Sequence, residues 1–266
     1  MKKIETFKIF RNNNRKSKEI EKIVYKKMLD NTFIYSEDNY DLAIAIGGDG
    51  SFLRMIKENC FNSDVLYVGV NAGTLGFAQE VSIDDIDIFI DELKKDKYKV
   101  DSIGIQETVI KTTEGVFSNY SLNEIVVREK DLNTISLEVK IDEVLLEKFV
   151  GDGILVSTSF GSTAYNLSFG GSIIYNTFHT LQITPIAPLN NKAYRNLLNS
   201  VVLPEEKVIK LIPKKDKNSL IITIDGKNYV YNNVVEISTS VRKKRVKFLR
   251  RIDYDFSLKI NEKFLK

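Results

Sequence analysis

The chain has 266 residues, of which 43% are hydrophobic and 28% are charged, and its net charge is +3. These values are typical of a folded protein with one large domain or two ordinary ones, and they exclude a disordered or fibrous chain. The small basic excess gives no reason to expect binding to nucleic acid. A single Cys and a single His exclude an internal disulfide, a cysteine zinc site and a multi-histidine metal centre.

The first hundred residues alternate between strand and helix patterns. Strand patterns occupy residues 4–10, 41–46 and 65–70, and helical patterns occupy residues 15–30, 51–60 and 82–96, with Ser82 as the N-cap of the last. The second and third strands are almost entirely apolar, which is typical of buried parallel strands. We therefore predict an α/β domain with a parallel sheet over residues 1–100.

After about residue 99 the pattern changes to one strand after another. Strands are predicted at residues 99–112, 117–127, 134–141, 144–150, 153–157, 219–224, 228–231, 234–238 and 242–252. Asp142-Glu143 and Asp225-Gly226 fit tight hairpin turns. These patterns predict a mainly β second domain over residues 101–266, whose last segment is a candidate to pack back on the first domain.

No apolar stretch has the length of a signal peptide core or of a membrane span, which needs about 20 residues. We therefore expect a cytoplasmic protein that has no membrane partner.

Two glycine clusters follow buried strands of the α/β domain. The first is Gly47-Gly48-Asp49-Gly50, and the second runs from Gly69 to Phe77. Ligands of open α/β sheets bind at the carboxyl ends of strands, where glycines let backbone N–H groups approach a phosphate. A carboxylate would repel a phosphate, so Asp49 fits better as a contact for a sugar hydroxyl or a metal. The alternatives are a plain glycine turn with a helix-capping Asp, and a tight loop that needs positive φ.

Polar residues also interrupt the β-rich part of the sequence. Asn123-Glu124 lies inside an apolar strand pattern, where adjacent residues point to opposite faces and one of them needs a polar partner. A ligand's ribose hydroxyls would satisfy it, and a place on an edge strand is the alternative. The segment from Gly151 to Gly171 combines glycines, hydroxyls and Tyr165 at a strand-to-helix junction. Such a segment can contact a base and its ribose.

Basic residues are dense between Arg242 and Arg251, where they alternate with Val246, Phe248 and Leu249. This pattern favours a half-exposed strand guarded by solvated charges over an anion-binding site.

Taken together and in this order, these motifs resemble the NAD kinase family. The matching segments are Gly47–Ser51, Gly69–Phe77, Asn123-Glu124, Gly151-Asp152-Gly153 with Ser157-Thr158 and Gly161–Tyr165, and Asp225-Gly226. The resemblance implies an α/β domain and a β-rich domain with the active site between them. It implies phosphoryl transfer from ATP, or from polyphosphate, to the 2′-hydroxyl of the adenosine ribose of NAD.

The resemblance also implies roles for individual residues. Asp49 is then the general base, and no metal ligand is assigned. The implied substrate contacts are Gly48, Gly50, Asn71, Gly73, Phe77, Asn123, Glu124, Asp152, Thr163, Ala164, Tyr165, Ser168, Ala187 and Asp225. In this set Asn123, Glu124 and residues 163–165 hold the adenosine part, and Asp152, Ser168 and Ala187 lie near the nicotinamide part. A divalent cation, Mg²⁺, accompanies ATP, and the chain is expected to form a homodimer or homotetramer.

The sequence departs from the family pattern at several positions. Val150 replaces a frequent Arg, Ser159-Phe160 replaces Pro followed by Thr or Ser, and Lys227 replaces a common Gln. Two other functions remain open from the sequence. The Gly-Gly-Asp-Gly motif also occurs in diacylglycerol and sphingosine kinases, and a non-catalytic dinucleotide-binding regulator is the third possibility.

Overall fold

A computed structural model describes residues 3–73, 76–214 and 218–266. Its first helices and strands are β1 (Thr6–Arg11), α1 (Arg15–Asp30), β2 (Ile34–Tyr35), β3 (Leu42–Gly47), α2 (Asp49–Glu58), β4 (Leu66–Asn71), α3 (Ile86–Lys94), β5 (Tyr98–Thr112), β6 (Val116–Ser121), β7 (Glu124–Glu129) and β8 (Ile135–Ile141). These are followed by β9 (Val144–Gly151), β10 (Gly153–Thr158), a 3₁₀ turn (Phe160–Thr163), α4 (Tyr165–Ser168), β11 (Thr180–Ile186), β12 (Val201–Pro204), β13 (Ile209–Pro213), β14 (Leu220–Ile224), β15 (Lys227–Tyr231), β16 (Val234–Arg251) and α5 (Phe256–Phe264).

The chain divides into two compact units. The first unit combines Met1–Ile103 with Arg245–Lys266, and the second unit is Gly104–Lys244.

The first unit is built on a parallel sheet. Its strands follow the order β2-β1-β3-β4, and Lys247 and Phe248 of β16 pair with β4, also in parallel. Helix α1 buries Ile20, Val24 and Met28, which lie four residues apart and therefore share one face. The expected α/β architecture with parallel strands is confirmed.

The second unit is mainly β. One antiparallel sheet has the order β12-β11-β10-β7-β14-β15, and a second layer contains β9, β8, β13 and the first part of β16. Alternate residues of both layers, such as Val127, Val139 and Ile222, meet in one apolar core. Both turns expected here are present, with positive φ at Asp142 and Glu143 (49° and 72°) and at Asp225 and Gly226 (42° and 79°). The expectation of a mainly β second domain is also confirmed.

Some predicted elements were wrong in detail. The strand predicted at residues 117–127 is two strands, β6 and β7, separated at Leu122 and Asn123. Helix α3 begins at Ile86 and not at Ser82, because the Ser82 hydroxyl instead closes a turn with Asp85, whose backbone N–H donates to it over 3.2 Å. Strands β11, β12 and β13 and helix α5 have no predicted counterpart.

The stretch from Arg242 to Arg251 is not a uniformly solvated edge. It belongs to β16, and Arg250 within it is 1% exposed. Its guanidinium donates to Glu80 over 3.2 Å and to Asp101 over 3.0 Å. The expectation of solvated charges was therefore wrong for Arg250, because two acidic side chains from distant parts of the sequence pair with it.

Across the part of the chain that the structure describes, no helix combines the length and the apolar character needed to cross a membrane.

Candidate active site

The Gly-Gly-Asp-Gly motif forms the junction between β3 and α2. Gly47 has φ +151°, and a Cβ there would lie 2.3 Å from the Ser51 hydroxyl oxygen, so this position requires glycine. Gly48 is the N-cap of α2 and offers no side chain to the first turn. A Cβ at Gly48 or Gly50 would meet nothing within 4 Å, so the backbone is open to a ligand at the positive end of the helix.

Asp49 is the first residue of α2, and its carboxylate is held by the loop after β4. Oδ1 accepts the backbone N–H of Ala78 over 2.8 Å, and Oδ2 accepts that of Phe77 over 3.2 Å. Each carboxylate oxygen has a second acceptor position, so Asp49 can still accept a proton or hydrogen bond from a ligand. The two backbone bonds fix the direction in which the carboxylate points.

Asn71 and the second glycine loop stand beside the first. Asn71 pairs with Gly47 in the parallel register of β3 and β4, so both motifs lie at the same carboxyl edge of the sheet. The Asn71 side chain accepts the N–H of Gly73 over 2.8 Å and shapes the start of the loop. Thr74 and Leu75 lie outside the described residues.

Helix α5 covers the end of this loop. The ring centroid of Phe77 lies 6.0 Å from that of Phe256 and 5.3 Å from that of Phe264. The ammonium group of Lys259 donates to the backbone carbonyl of Gln79. Burial lowers the pKa of Lys259, and the neighbouring carboxylates of Glu80 and Asp49 oppose that change.

Gln79 and Lys259 were not predicted from the sequence. Gln79 follows the glycine loop by two residues, which could have drawn attention to it. Lys259 lies 180 positions further along, and no local pattern connects the two.

In the second unit, Asp225 organises the segment that contains Asn123 and Glu124. Its Oδ1 accepts the backbone N–H of Asn123 over 2.8 Å and of Glu124 over 3.3 Å, and both its carboxylate oxygens accept the N–H of Leu122. The Asn123 carbonyl accepts the N–H of Thr158 over 2.9 Å. The backbone of the Asn-Glu pair is therefore fixed, and the side chain of Asn123 makes no hydrogen bond within the described residues.

The turn after β10 packs directly on this segment. A Cβ at Gly161 would lie 2.1 Å from the Asn123 carbonyl oxygen, so glycine allows the close approach. The 3₁₀ turn and α4 present Thr163, Ala164 and Tyr165 next to one another. Tyr165 is 41% exposed, and its ring packs on Phe169 at 4.7 Å between centroids.

Asn166 fixes this turn through buried side-chain hydrogen bonds. The side chain is fully buried, donates to Gln182 Oε1 over 3.1 Å and accepts from the Thr184 hydroxyl over 2.6 Å. This buried polar network gives the exposed residues of the turn a rigid base. Ser168 ends α4 and is exposed.

Asp152 and Ala187 lie at the opposite end of β10. Asp152 precedes the strand and Ala187 follows β11, which pairs with β10 from Gly153 to Thr158. Both residues are exposed, and Ala187 has φ +44°. At about 3.3 Å per residue, the ends of β10 are about 17 Å apart. The predicted contacts of this unit thus form two groups, one at each end of the strand.

Two family models match this chain. The ATP-NAD kinase N-terminal domain matches residues 3–98, and the ATP-NAD kinase C-terminal domain matches residues 122–250. Among curated relatives, the NAD kinase of Finegoldia magna is 40% identical in an alignment 266 positions long that covers 97% of each chain. The chain belongs to the NAD kinase family. A further NAD kinase, from Streptococcus gordonii, is 35% identical and covers 91% of this chain and 88% of its own.

Solved structures of NAD kinases have the same fold. Yeast NADH kinase complexed with NADH has a TM-score of 0.84 and 18% identity, and the match covers 98% of this chain and 88% of the other. An NAD kinase from Archaeoglobus fulgidus in complex with ATP has a TM-score of 0.73 and 21% identity, with coverage of 92% and 94%.

Proposed function

We propose that this member of the NAD kinase family transfers the terminal phosphoryl group of ATP to the 2′-hydroxyl of the adenosine ribose of NAD, with Asp49 as the general base. Polyphosphate is a second possible donor. The observation that carries the proposal is the Asp49 carboxylate, which two backbone N–H groups hold at the open N-terminus of α2.

In the proposed reaction the 2′-hydroxyl attacks the terminal phosphorus of ATP. As the new oxygen–phosphorus bond forms, the hydroxyl proton moves to Asp49 and the bond to the ADP oxygen breaks. Phosphoryl transfer depends mainly on positioning and on stabilisation of charge. Gly48 and Gly50 can contribute backbone N–H groups at the positive end of α2.

The second unit supplies the proposed contacts to NAD. Asn123, Glu124 and the turn at residues 163–165 are assigned to the adenosine part, where an exposed tyrosine ring offers a stacking face. Asp152, Ser168 and Ala187 are assigned to the nicotinamide part. A dinucleotide is an extended ligand, and the separation along β10 between residues 163–165 at one end and Asp152 and Ala187 at the other suits its length, whereas Ser168 lies in α4 beside Tyr165.

A divalent cation is proposed to arrive with ATP. Within residues 3–73, 76–214 and 218–266, no three His, Cys, Asp or Glu side chains come together to hold a metal ion. Mg²⁺ commonly keeps several waters and binds through substrate phosphates with only one or two carboxylates, so a cation that arrives with ATP does not require such a cluster. When bound, the cation would neutralise charge on the phosphates.

The test is Asp49→Asn. We expect turnover to fall by about 10²–10⁴-fold, the usual contribution of a general base, because the amide cannot take the hydroxyl proton. NAD affinity, measured by calorimetry, should stay close to that of the parent. Turnover within threefold of the parent would rule out this role.

Asp84→Asn is the matched control, since Asp84 is an exposed carboxylate of the same unit. It should leave turnover unchanged. Parallel assays with diacylglycerol and sphingosine as acceptors separate NAD phosphorylation from lipid kinase activity.

The remaining proposals concern assembly and location. We propose that the chain forms a homodimer or homotetramer and that it acts in the cytoplasm. Sedimentation equilibrium of the purified chain tests the assembly, and a monomer would contradict it.

A further inference from the structure

The side chain of Gln79 is buried without a hydrogen-bond partner. The residue is 1% exposed, and neither Oε1 nor Nε2 makes a hydrogen bond within the described part of the chain. An unpaired amide in the interior destabilises a fold, so such groups are uncommon unless something else binds them.

This unpaired amide lies next to Asp49. An ideal Cβ placed on Gly76 would stand 2.0 Å from Gln79 Oε1 and 2.3 Å from Asp49 Oδ1. Both side chains therefore converge on the same small space above Gly76. The Gln79 amide, with one acceptor oxygen and two donor hydrogens, thus lies close to Asp49 Oδ1 and has no hydrogen-bond partner among the described residues.

The backbone of Gln79 is held on both sides. Its carbonyl accepts the ammonium group of Lys259, and its neighbour Ala78 donates its N–H to Asp49. Phe77, one residue earlier, packs its ring on Phe256 and Phe264 of α5. These contacts of the backbone and of neighbouring residues hold Gln79 beside the Asp49 carboxylate, while the polar atoms of its side chain stay unbonded within the described part of the chain.

We propose that the Gln79 amide is a ligand contact of the active site, which holds the phosphoryl-accepting hydroxyl against Asp49. The single proton of that hydroxyl goes to Asp49, so the amide bonds the hydroxyl by donating an Nε2 hydrogen to its oxygen, the atom that becomes phosphorylated. This inference rests on the proposed function, in which Asp49 takes the proton of that hydroxyl.

Gln79→Leu is the first test, because leucine keeps the bulk of the side chain and removes its polar atoms. We expect kcat/KM for NAD to fall at least about fivefold, as a lost hydrogen bond to the reacting group implies. The KM for ATP should not change. Without nucleotides the Tm should be equal to or higher than that of the parent, because an unpaired amide has been replaced by an apolar group.

Unchanged kcat/KM for NAD would overturn the inference, whatever happens to the Tm. An increase confined to the KM for ATP would overturn the assignment to the acceptor hydroxyl. Tyr98→Phe is the matched control, since the Tyr98 hydroxyl is also buried without a partner among the described residues. It should leave both kinetic constants unchanged.

If Gln79→Leu folds poorly, Gln79→Glu tests whether residue 79 lies against Asp49. A second carboxylate beside Asp49 would resist ionisation of the pair, so the acid limb of kcat/KM should move to higher pH. An acid limb in the same place as the parent's would show that residue 79 does not lie against the base.

Failure of this inference can be separated from failure of the proposed function. If Asp49→Asn keeps its turnover, the role of Asp49 is wrong. If Asp49→Asn is inactive while Gln79→Leu keeps full kcat/KM, only the role of Gln79 is wrong.

Discussion

Arg250 shows how much the first unit depends on single charged residues. Its side chain is 1% exposed and bonds Glu80 and Asp101, while its guanidinium also lies 4.4 Å from the Tyr254 ring centroid. A buried ion pair stabilises little in itself, but removing one partner leaves an uncompensated charge in the interior.

We therefore expect Arg250→Met to lower the free energy of unfolding by about 3–5 kcal/mol. Urea denaturation followed by circular dichroism measures this loss. The double variant with Glu80→Gln should recover part of it, because the orphaned carboxylate is then removed. If the double variant is as unstable as the sum of the single ones, the pair is not the cause.

Glu80 gives the first unit a pH dependence. Burial raises the pKa of its carboxyl above the ordinary value, and the charge of Arg250 only partly opposes this. A raised native pKa means that the folded state binds a proton before the unfolded state does. The contribution of Glu80 to stability is therefore present below the unfolded pKa, about 4.3, and is lost as the pH rises through the native value.

The measurement is the unfolding free energy of the parent relative to Glu80→Gln between pH 4 and about 7. The parent should gain relative stability as the pH falls. A difference that stays constant, or that shrinks on acidification, would contradict the raised pKa.

At the scale of secondary-structure elements, the break between β6 and β7 is held by a single side chain. Asp225 fixes the backbone there by accepting N–H groups from Leu122, Asn123 and Glu124. The side chain of Asn123 makes no hydrogen bond within the described residues, and we propose that it contacts NAD. In this proposal Asp225 supports the backbone and Asn123 binds the ligand.

Asn123→Ala should therefore weaken NAD binding by roughly 1–3 kcal/mol while the Tm without ligand changes little. Asp225→Ala should lower both NAD affinity and Tm, since three backbone N–H groups lose their acceptor. Calorimetry and thermal scans on the two variants provide the comparison. A large drop in Tm for Asn123→Ala with unchanged NAD affinity would indicate a structural role for its side chain.

Elements with a strong local pattern were predictable from the sequence, and those defined by distant partners were not. Helix α1 follows from its own apolar spacing, and its predicted range of residues 15–30 is the observed one. Strand β13, in contrast, is defined by pairing with β8 and β16, which lie far away in sequence. Its own pattern is short, so it was missed.

The candidate site divides in the same way. The glycine motifs make the Asp49 loop predictable from the sequence, because glycine is required where the backbone lies too close to other atoms for a side chain. The contacts of Gln79 with Gly76 and of Lys259 with Gln79 depend on how the chain packs, and the sequence order conceals them.

At the scale of the whole molecule, Arg245–Lys266 is an integral part of the first unit. It supplies three things to this unit: the part of β16 that pairs with β4, the Arg250 side chain that pairs with Glu80, and helix α5. A chain that ends after Lys244 lacks all three. We expect its residues 1–103 to be cleaved rapidly in limited proteolysis and its yield of soluble protein to fall sharply.

A chain that ends after Asp255 is the matched control, since it keeps the strand pairing, Arg250 and Tyr254 and loses only α5 and the two residues after it. It should resist cleavage better than the shorter chain. Equal resistance of the full-length chain and the chain ending after Lys244 would contradict the structural role of this segment.

The discontinuous first unit also bears on how the protein is made. During translation, residues 1–103 are synthesised long before residues 245–266, with the whole second unit in between. Until β16 is made, one side of β4 has no strand partner and the Glu80 carboxylate has no Arg250 to pair with. Domains usually fold as they emerge, the earliest first. Here all residues of the second unit are synthesised before those of the first unit are complete, so the usual order is reversed.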